Sequence, residues 1–316
     1  MNENEIQGPL HIRYRPTDFS EFIGNESTVQ ALKSVLNRDK KDQIKTYLFF
    51  GPSGCGKTTL ARIVSKELGC SEIDFSEYNV ANTRGIETIR DIIKGSRYSP
   101  MEGDIKVYLL DECHKLTSDA QNALLKILED TPDHVRFILC TTEENKLIVT
   151  IRNRATAFPV NRLTRPVMIG FLKSIAAKEE IQFPDNFYKE IASVSEGSPR
   201  AALAIMDKII DIEDDQAAFD AIASATFDEV EVKKLIDFLM TSGKKDWKTA
   251  ANILKGLDLT GGKPEELRVA VARYFGSVLL NKGDSWTHQV MVVFGAEPWF
   301  YSGREKLFDA IYVLCH

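Results

Sequence analysis

One eight-residue stretch, GPSGCGKT at Gly51–Thr58, restricts this chain more than any other. It matches the pattern GxxxxGK[ST], which works only as a tight turn between a strand and a helix. The flanks supply both. TYLFF before it is a short apolar, β-favouring run, and KTTLARIVSKEL after it repeats apolar residues at helical spacing. In that setting Gly51, Pro52, Ser53, Gly54, Cys55 and Gly56 form a nucleotide-binding loop whose glycines let backbone N–H groups curl round the β- and γ-phosphates, and the helix N-terminus adds partial positive charge. Lys57 contributes a point charge and Thr58 a hydroxyl for Mg²⁺, with Thr59 completing the set.

The alternation continues downstream. IDFSEYNV reads as a strand, GIETIRDIIKGSRYS as an amphipathic helix, and KVYLLDE and VRFILCTT as apolar strands. SDAQNALLKILED between the last two reads as a helix with Ser118 as candidate N-cap. Strands alternating with helices imply a parallel sheet covered on both faces. Beyond Phe158 the strand signal fades. VMIGFLKSIAAKEE, DNFYKEIASVSEG and SPRAALAIMDKIID predict three helices, broken at Pro184 and Gly197. The acidic run DIEDDQAAFDAIASATFDE reads as a linker or domain boundary, and the chain from about Val230 to His316 is again mostly helical.

At 316 residues, two or three packed units are expected. A hydrophobic share of 43% and a charged share of 27%, with no apolar run near the ~20 residues of a membrane span, place the chain among globular proteins. The start, MNENEIQGPLH, lacks the features of a secretory signal, so a cytoplasmic location is expected. Cys55, Cys70, Cys113, Cys140 and Cys315 form no CxxC pair, which argues against a zinc ribbon or a disulfide framework and predicts reduced, half-buried thiols. The net charge of −6 gives no global attraction to nucleic acid and leaves a local basic face open.

VYLLDECH ends an apolar strand with Asp111 and Glu112, where open α/β sheets bind ligands. Asp111 would hold Mg²⁺ through water, and Glu112 would orient or deprotonate an attacking water. The spacing from the P-loop is compatible with neighbouring strands. His114 has no second metal ligand at a suitable spacing and reads as a surface histidine where a helix begins. Thr141 and Thr142 either bond a γ-phosphate or cap a turn.

These motifs, taken in order, resemble the ATPase subunits of sliding-clamp loaders, the replication factor C small-subunit and DNA polymerase III gamma/tau type within the AAA+ superfamily. The resemblance runs from RYRPTDFSEFIGNE (13–26) through the P-loop, EYNVANTRGIETIR, LLDECHKLTSDAQNALLKILEDTPDHVRFILCTT and TIRNRATAF to EGSPRAAL (196–203). It implies an α/β AAA+ P-loop core at 1–163, a small helical lid domain at 164–222 and an all-α collar domain at 223–316. ATP and Mg²⁺ would be the cofactors. Tyr14, Arg15 and Pro16, with Ile23 and Gly24, match the adenine-pocket segments, Thr142 the sensor 1 residue, and Arg200 the sensor 2 arginine. Arg154 in TIRNRATAF occupies the arginine of the family's Ser-Arg-Cys box, which completes the ATP site of a neighbouring subunit. Here Asn153 and Ala155 replace its serine and cysteine. Arg152 is a second candidate finger or an interface ion-pair partner.

The resemblance also implies partners: a sliding clamp, primer-template DNA and other loader subunits in a five-membered ring. Arg84, Arg90, Lys94 and Arg97 lie in or just before a helix that resembles one lining the DNA chamber, the last three at i, i+4 and i+7 on one face. Gln121 matches a family glutamine on the helix that joins the DNA-facing side to the acidic pair, and Lys126 would face DNA or the adjoining subunit. LGCSEIDF lacks the four-cysteine zinc module usual in bacterial gamma/tau subunits, so no zinc is expected, and a compact form without the long extension of tau is expected, as in phage, archaeal and eukaryotic versions. A non-hydrolysing scaffold in the same ring remains an alternative. So does another AAA+ machine, of Holliday-junction helicase or initiator type.

Overall fold

Strands β1 (Thr46–Phe50), β2 (Phe75–Asn79), β3 (Lys106–Asp111), β4 (Val135–Thr141) and β5 (Thr156–Pro159) form one sheet in the order β2-β3-β4-β1-β5, every pair parallel. The computed structural model describes residues 8–39, 42–81, 85–224, 230–241, 245–257, 263–295 and 303–315. The chain divides into two compact units, Met1–Asp207 and Lys208–His316.

Helices α1 (Leu10–Arg13) and α2 (Glu26–Leu36) precede the sheet, and α3 (Lys57–Glu67), α4 (Ile86–Gly95), α5 (Ser118–Glu129) and α6 (Val149–Arg152) connect its strands. Successive side chains of a strand point to opposite faces, so continuous apolar runs such as TYLFF and VRFILCT feed two cores at once. Tyr47, Phe49, Val107, Leu109, Ile138 and Cys140 pack with Leu32 of α2 and Leu60, Ile63 and Val64 of α3. Leu48, Tyr108, Leu110, Phe137 and Leu139 pack on the other face with Ile89 and Ile92 of α4 and Leu124 and Leu128 of α5. Truncating one such side chain, as in Leu109→Ala, costs about 2–5 kcal/mol.

Several expectations change here. The acidic strand β3 is not beside β1; β4 lies between them, because β4 supplies hydrophobic side chains to both cores and pairs with both neighbours. The N-cap of α5 is Thr117, not Ser118: its hydroxyl accepts the Ala120 N–H at 3.3 Å, and Ser118 is already the first helical residue. Four of the five thiols, Cys55, Cys113, Cys140 and Cys315, are fully rather than half buried, and burial pushes them above their ordinary pKa.

After the sheet come α7 (Arg165–Lys178), α8 (Asp185–Val194) and α9 (Pro199–Ile209). Gly197, at φ +75°, makes the turn between α8 and α9 so tightly that a Cβ there would lie 2.6 Å from the Leu163 carbonyl oxygen. The run read as a linker contains α10 (Asp215–Ser224). Its Ala218 and Ile222, four residues apart, are buried, and the Asp214 carboxylate accepts the Ala217 N–H at 2.7 Å at the helix start. Its acidity is therefore a helix-capping signal as much as a linker signal.

The second unit continues with α11 (Val230–Met240), α12 (Trp247–Gly256), α13 (Lys263–Lys282), α14 (Ser285–Phe294) and α15 (Gly303–Cys315). Leu235, Leu239, Leu254, Val271, Phe275, Phe294, Leu307 and Ile311 make its core. Asp246 and Asp284 cap α12 and α14 by accepting the N–H groups of Thr249 and Thr287 at 2.9 and 2.8 Å. Among the described residues, no helix is long and apolar enough to cross a membrane.

Candidate nucleotide-binding site

The loop from β1 into α3 is shaped by glycine where nothing else fits. Gly51 has φ +144°, and a Cβ there would stand 2.0 Å from the Val160 carbonyl oxygen. Gly56, at φ +102°, caps α3 against the Phe22 ring. Among the described residues, the backbone N–H groups of Gly54, Gly56, Lys57 and Thr58 donate to no acceptor in the chain. Lys57 is 6% exposed, and its ammonium donates to the Gly51 and Pro52 carbonyls at 2.8 Å each, with no carboxylate paired to it among the described residues. Unsatisfied donors and a buried cation together call for an anion of several oxygens.

Asp111, at the end of β3, accepts the Thr58 hydroxyl at 2.8 Å on one carboxylate oxygen and the Glu112 N–H at 2.9 Å on the other. These hard oxygens, beside donors that suit phosphate, fit a divalent cation of the Mg²⁺ kind. Glu112 follows with φ +55°, a left-handed turn that a non-glycine residue adopts only under local constraint.

The cleft is lined on its polar side by Ser53, Gly54, Cys55, Gly56, Lys57, Thr58, Thr59, Asp111 and Glu112, and elsewhere by Tyr14, Arg15, Pro16, Ile23 and Arg200. His11, Glu21, Phe22, Leu163, Phe171, Pro199 and Leu203 complete it. Burial, reinforced by the charges of Arg62 and Arg200, holds the Arg15 guanidinium below its usual pKa, so several cations share this region. The Ser198 hydroxyl reaches the Gly54 carbonyl at 3.4 Å, bringing the start of α9 onto the loop. Tyr14 and Arg13 are both anchored to the Glu179 carboxylate after α7. Phe22, Phe171 and Leu203 were invisible as site residues because isolated apolar residues carry no motif. Gly24, Gly51 and Pro52 support the lining without being part of it, and Gly24 backs onto Leu163, where a Cβ would meet Cδ2 at 2.5 Å.

Other candidates lie elsewhere. Thr142, just past β4, is half-buried and does not line the cleft, whereas Thr141 is fully buried and its carbonyl accepts the Gly51 N–H at 3.2 Å. Arg154 is also outside the cleft of its own chain. It donates to Glu129 at 2.5 Å and to the Thr150 carbonyl at 3.1 Å. The Nε of Arg152 is buried without a hydrogen-bond partner among the described residues.

On α4, Arg90 pairs with Glu87 at 2.6 Å and Lys94 with Asp91 at 3.5 Å. Arg97 is exposed and lies two residues past the helix end at Gly95, in a turn where Ser96 keeps helical backbone angles and the Arg97 N–H donates to the Lys94 carbonyl at 3.3 Å. Arg84 lies outside the described residues. Gln121 is 5% exposed, and its amide donates to the Leu116 and Lys146 carbonyls at 3.2 and 3.4 Å while accepting the Ile148 N–H at 2.9 Å. It braces α5 against the loop after β4 from inside and offers no surface contact. Lys126 is exposed. His114, expected at the surface, is 9% exposed and lies against Thr141, Glu112 and Glu143. The turn after β3 sets the ring against the end of β4 at Thr141, a burial that the local sequence, rich in charge, conceals.

Residues 74–164 match the family described as DNA polymerase III, delta subunit. The DNA polymerase III subunit gamma/tau of Mycoplasma genitalium is 33% identical over 270 residues, 79% of this chain and 45% of that protein. The tau subunits of Bacillus subtilis and Escherichia coli are 30% and 32% identical, over 86% and 72% of this chain and 52% and 39% of their own lengths. The chain thus spans about half the length of the curated relatives it matches. The Thermotoga maritima RuvB Holliday junction branch migration motor superposes with a TM-score of 0.56 over 76% of this chain and 85% of that one; at 23% identity, this shows a shared AAA+ fold. By sequence over most of its length the chain is similar to DNA polymerase III gamma/tau subunits, and by the phosphate loop and five-stranded parallel sheet just described it has an AAA+ fold.

Proposed function

We propose that this chain is an ATP-hydrolysing subunit of a sliding-clamp loader, in which ATP binding drives clamp opening and the gripping of primer-template DNA, and hydrolysis releases the loaded clamp. The observation that carries the reading is the meeting of Lys57, Thr58, Asp111 and Glu112 in one cleft, with Arg15 and Arg200 on its rim and Arg154 outside it. The unpaired loop N–H groups and Lys57 would hold the β- and γ-phosphates. Thr58 and Asp111 would hold Mg²⁺, which supplies charge neutralisation at the phosphate oxygens when bound. Glu112 would take a proton from the attacking water, and Tyr14, Ile23 and Phe171 would receive the base.

A guanidinium stabilises the equatorial oxygens of a transferring phosphoryl group, and Arg154 does not line its own cleft. Its service to a neighbouring subunit follows from this reading. In the same proposal, 1–163 forms the nucleotide-binding core, 164–222 the lid and 223–316 the collar of a ring with other loader subunits, and Arg90 and Lys94 meet the DNA backbone.

The test is ATP turnover of the chain with its partner subunits, clamp and primed DNA. Glu112→Gln should retain nucleotide affinity and lose stimulated turnover by ~10²–10⁴-fold, the usual weight of a general base. Equal, negligible rates for the two chains would instead identify a scaffold subunit.

A further inference from the structure

The one-turn helix Cys113–Lys115 after β3 buries the His114 ring, whose side chain is only 4% exposed. Its Nδ1 lies 3.1 Å from the Thr141 hydroxyl, and its Nε2 lies 3.4 Å from a Glu112 carboxylate oxygen and 3.5 Å from one of Glu143. Hydrogen-bond accounting assigns the ring proton. Nε2 faces two carboxylates, which only accept, whereas the Thr141 hydroxyl can donate to Nδ1 while its oxygen accepts the Glu143 N–H at 2.9 Å. Nε2 then carries the ring proton and faces the two carboxylates.

From this geometry we propose that His114 is a positioning residue for Glu112, tying the carboxylate to the end of β4. The proposal rests on Glu112 being the base. Among the described residues, His114 is the side-chain donor brought to the Glu112 carboxylate. Its other nitrogen is fixed by Thr141, whose carbonyl accepts the P-loop Gly51 N–H at 3.2 Å. Base and phosphate loop are thus referenced to one strand end, which continues directly into Thr142. The Nε2 contact is long for a hydrogen bond, as catalytic contacts commonly are before substrate closes the site. The sharing of Nε2–H with Glu143 holds Glu112 without neutralising it.

Misplacing a reacting group by about 1 Å costs roughly 10²-fold in rate. His114→Ala, measured with partner subunits, clamp and primed DNA, is therefore expected to lower kcat about 10²-fold while nucleotide Kd stays within about twofold. Two further variants separate positioning from folding. His114→Gln places an N–H about where Nε2 stands and should recover most of kcat, whereas His114→Asn reaches only about as far as Nδ1 and should not. Thermal unfolding midpoints of both report any loss of fold. Unchanged kcat in His114→Ala, a parallel loss of nucleotide affinity, or equal rates for the Gln and Asn chains would overturn the proposal. If Glu112→Gln turns over as fast as wild type, the base assignment fails and His114 falls with it. If Glu112→Gln is inactive while His114→Ala matches wild type, only the His114 proposal fails.

Discussion

Arg154 is held by its own chain, through Glu129 at 2.5 Å and the Thr150 carbonyl at 3.1 Å, before any neighbour can use it. Both partners of the ion pair are exposed, at 36% and 43%, so the pair is worth only about 0–1 kcal/mol. A neighbour's phosphates would outcompete it easily. Glu129→Gln is therefore expected to change stimulated kcat/KM by less than about fivefold, whereas Arg154→Ala should lower it by about 10³-fold or more. Comparable losses in the two chains would mean that the pair belongs to the working site. Gly51 is the opposite case, a residue with no tolerance. Gly51→Ala would set a Cβ 2.0 Å from the Val160 oxygen at φ +144°, and Val160 is itself fixed by its N–H bond to Phe50 at 2.8 Å. A fall in the thermal midpoint of several degrees is expected, in line with a loss of more than about 2 kcal/mol. An unchanged midpoint would show that the loop can move aside. The glycine pattern was readable in the sequence because its geometry is local. The Arg154–Glu129 pair was not, since it joins residues 25 positions apart that only the fold brings together.

At the scale of elements, the strands and most helices were legible because a 2-residue or 3.6-residue apolar period needs no knowledge of partners. Strand order was not: β4 between β1 and β3 follows from which faces fill both cores, a long-range choice. The acidic run before α10 and the single turn that buries His114 were misread for a shared reason, since local polarity there reports capping or a buried polar contact as readily as exposure. Asp74, just before β2, is another polar residue held in a buried contact. It is 1% exposed, accepts the N–H groups of Met101, Glu102 and Gly103 at 2.7–3.1 Å and the Ser71 hydroxyl at 2.8 Å, and so ties the turn before β3 to the start of β2. Burial pushes its carboxyl up, but these donors outweigh burial and hold it well below the usual carboxylate range. With the folded pKa below the unfolded value of about 3.9, the stabilisation is complete above that value and is lost as pH falls through the folded pKa. In denaturant titrations, the stability gap between wild type and Asp74→Asn should accordingly narrow as pH drops below about 4. A gap that stays constant with pH would show that the charge of Asp74 is not what anchors the turn.

At the scale of the whole molecule, the cleft has a complete phosphate loop and acidic pair while Arg154 does not line it, and under the proposed function each chain would be half of two sites. The head-to-tail contacts of a ring have this property, because each interface uses two different surfaces of the same chain. Mixing tests it directly. A chain with Glu112→Gln keeps Arg154 but has no working base, and a chain with Arg154→Ala keeps its base but lends no finger. Each alone should be nearly inactive with partner subunits, clamp and primed DNA. In an equal mixture, about a quarter of adjacent pairs of this chain would set an intact cleft against an intact Arg154, so turnover should rise well above that of either variant alone. A finger acting within its own chain would leave the mixture at the mean of the two inactive rates. A mixture that stays at that mean while both variants still assemble would remove Arg154 from the neighbour's site.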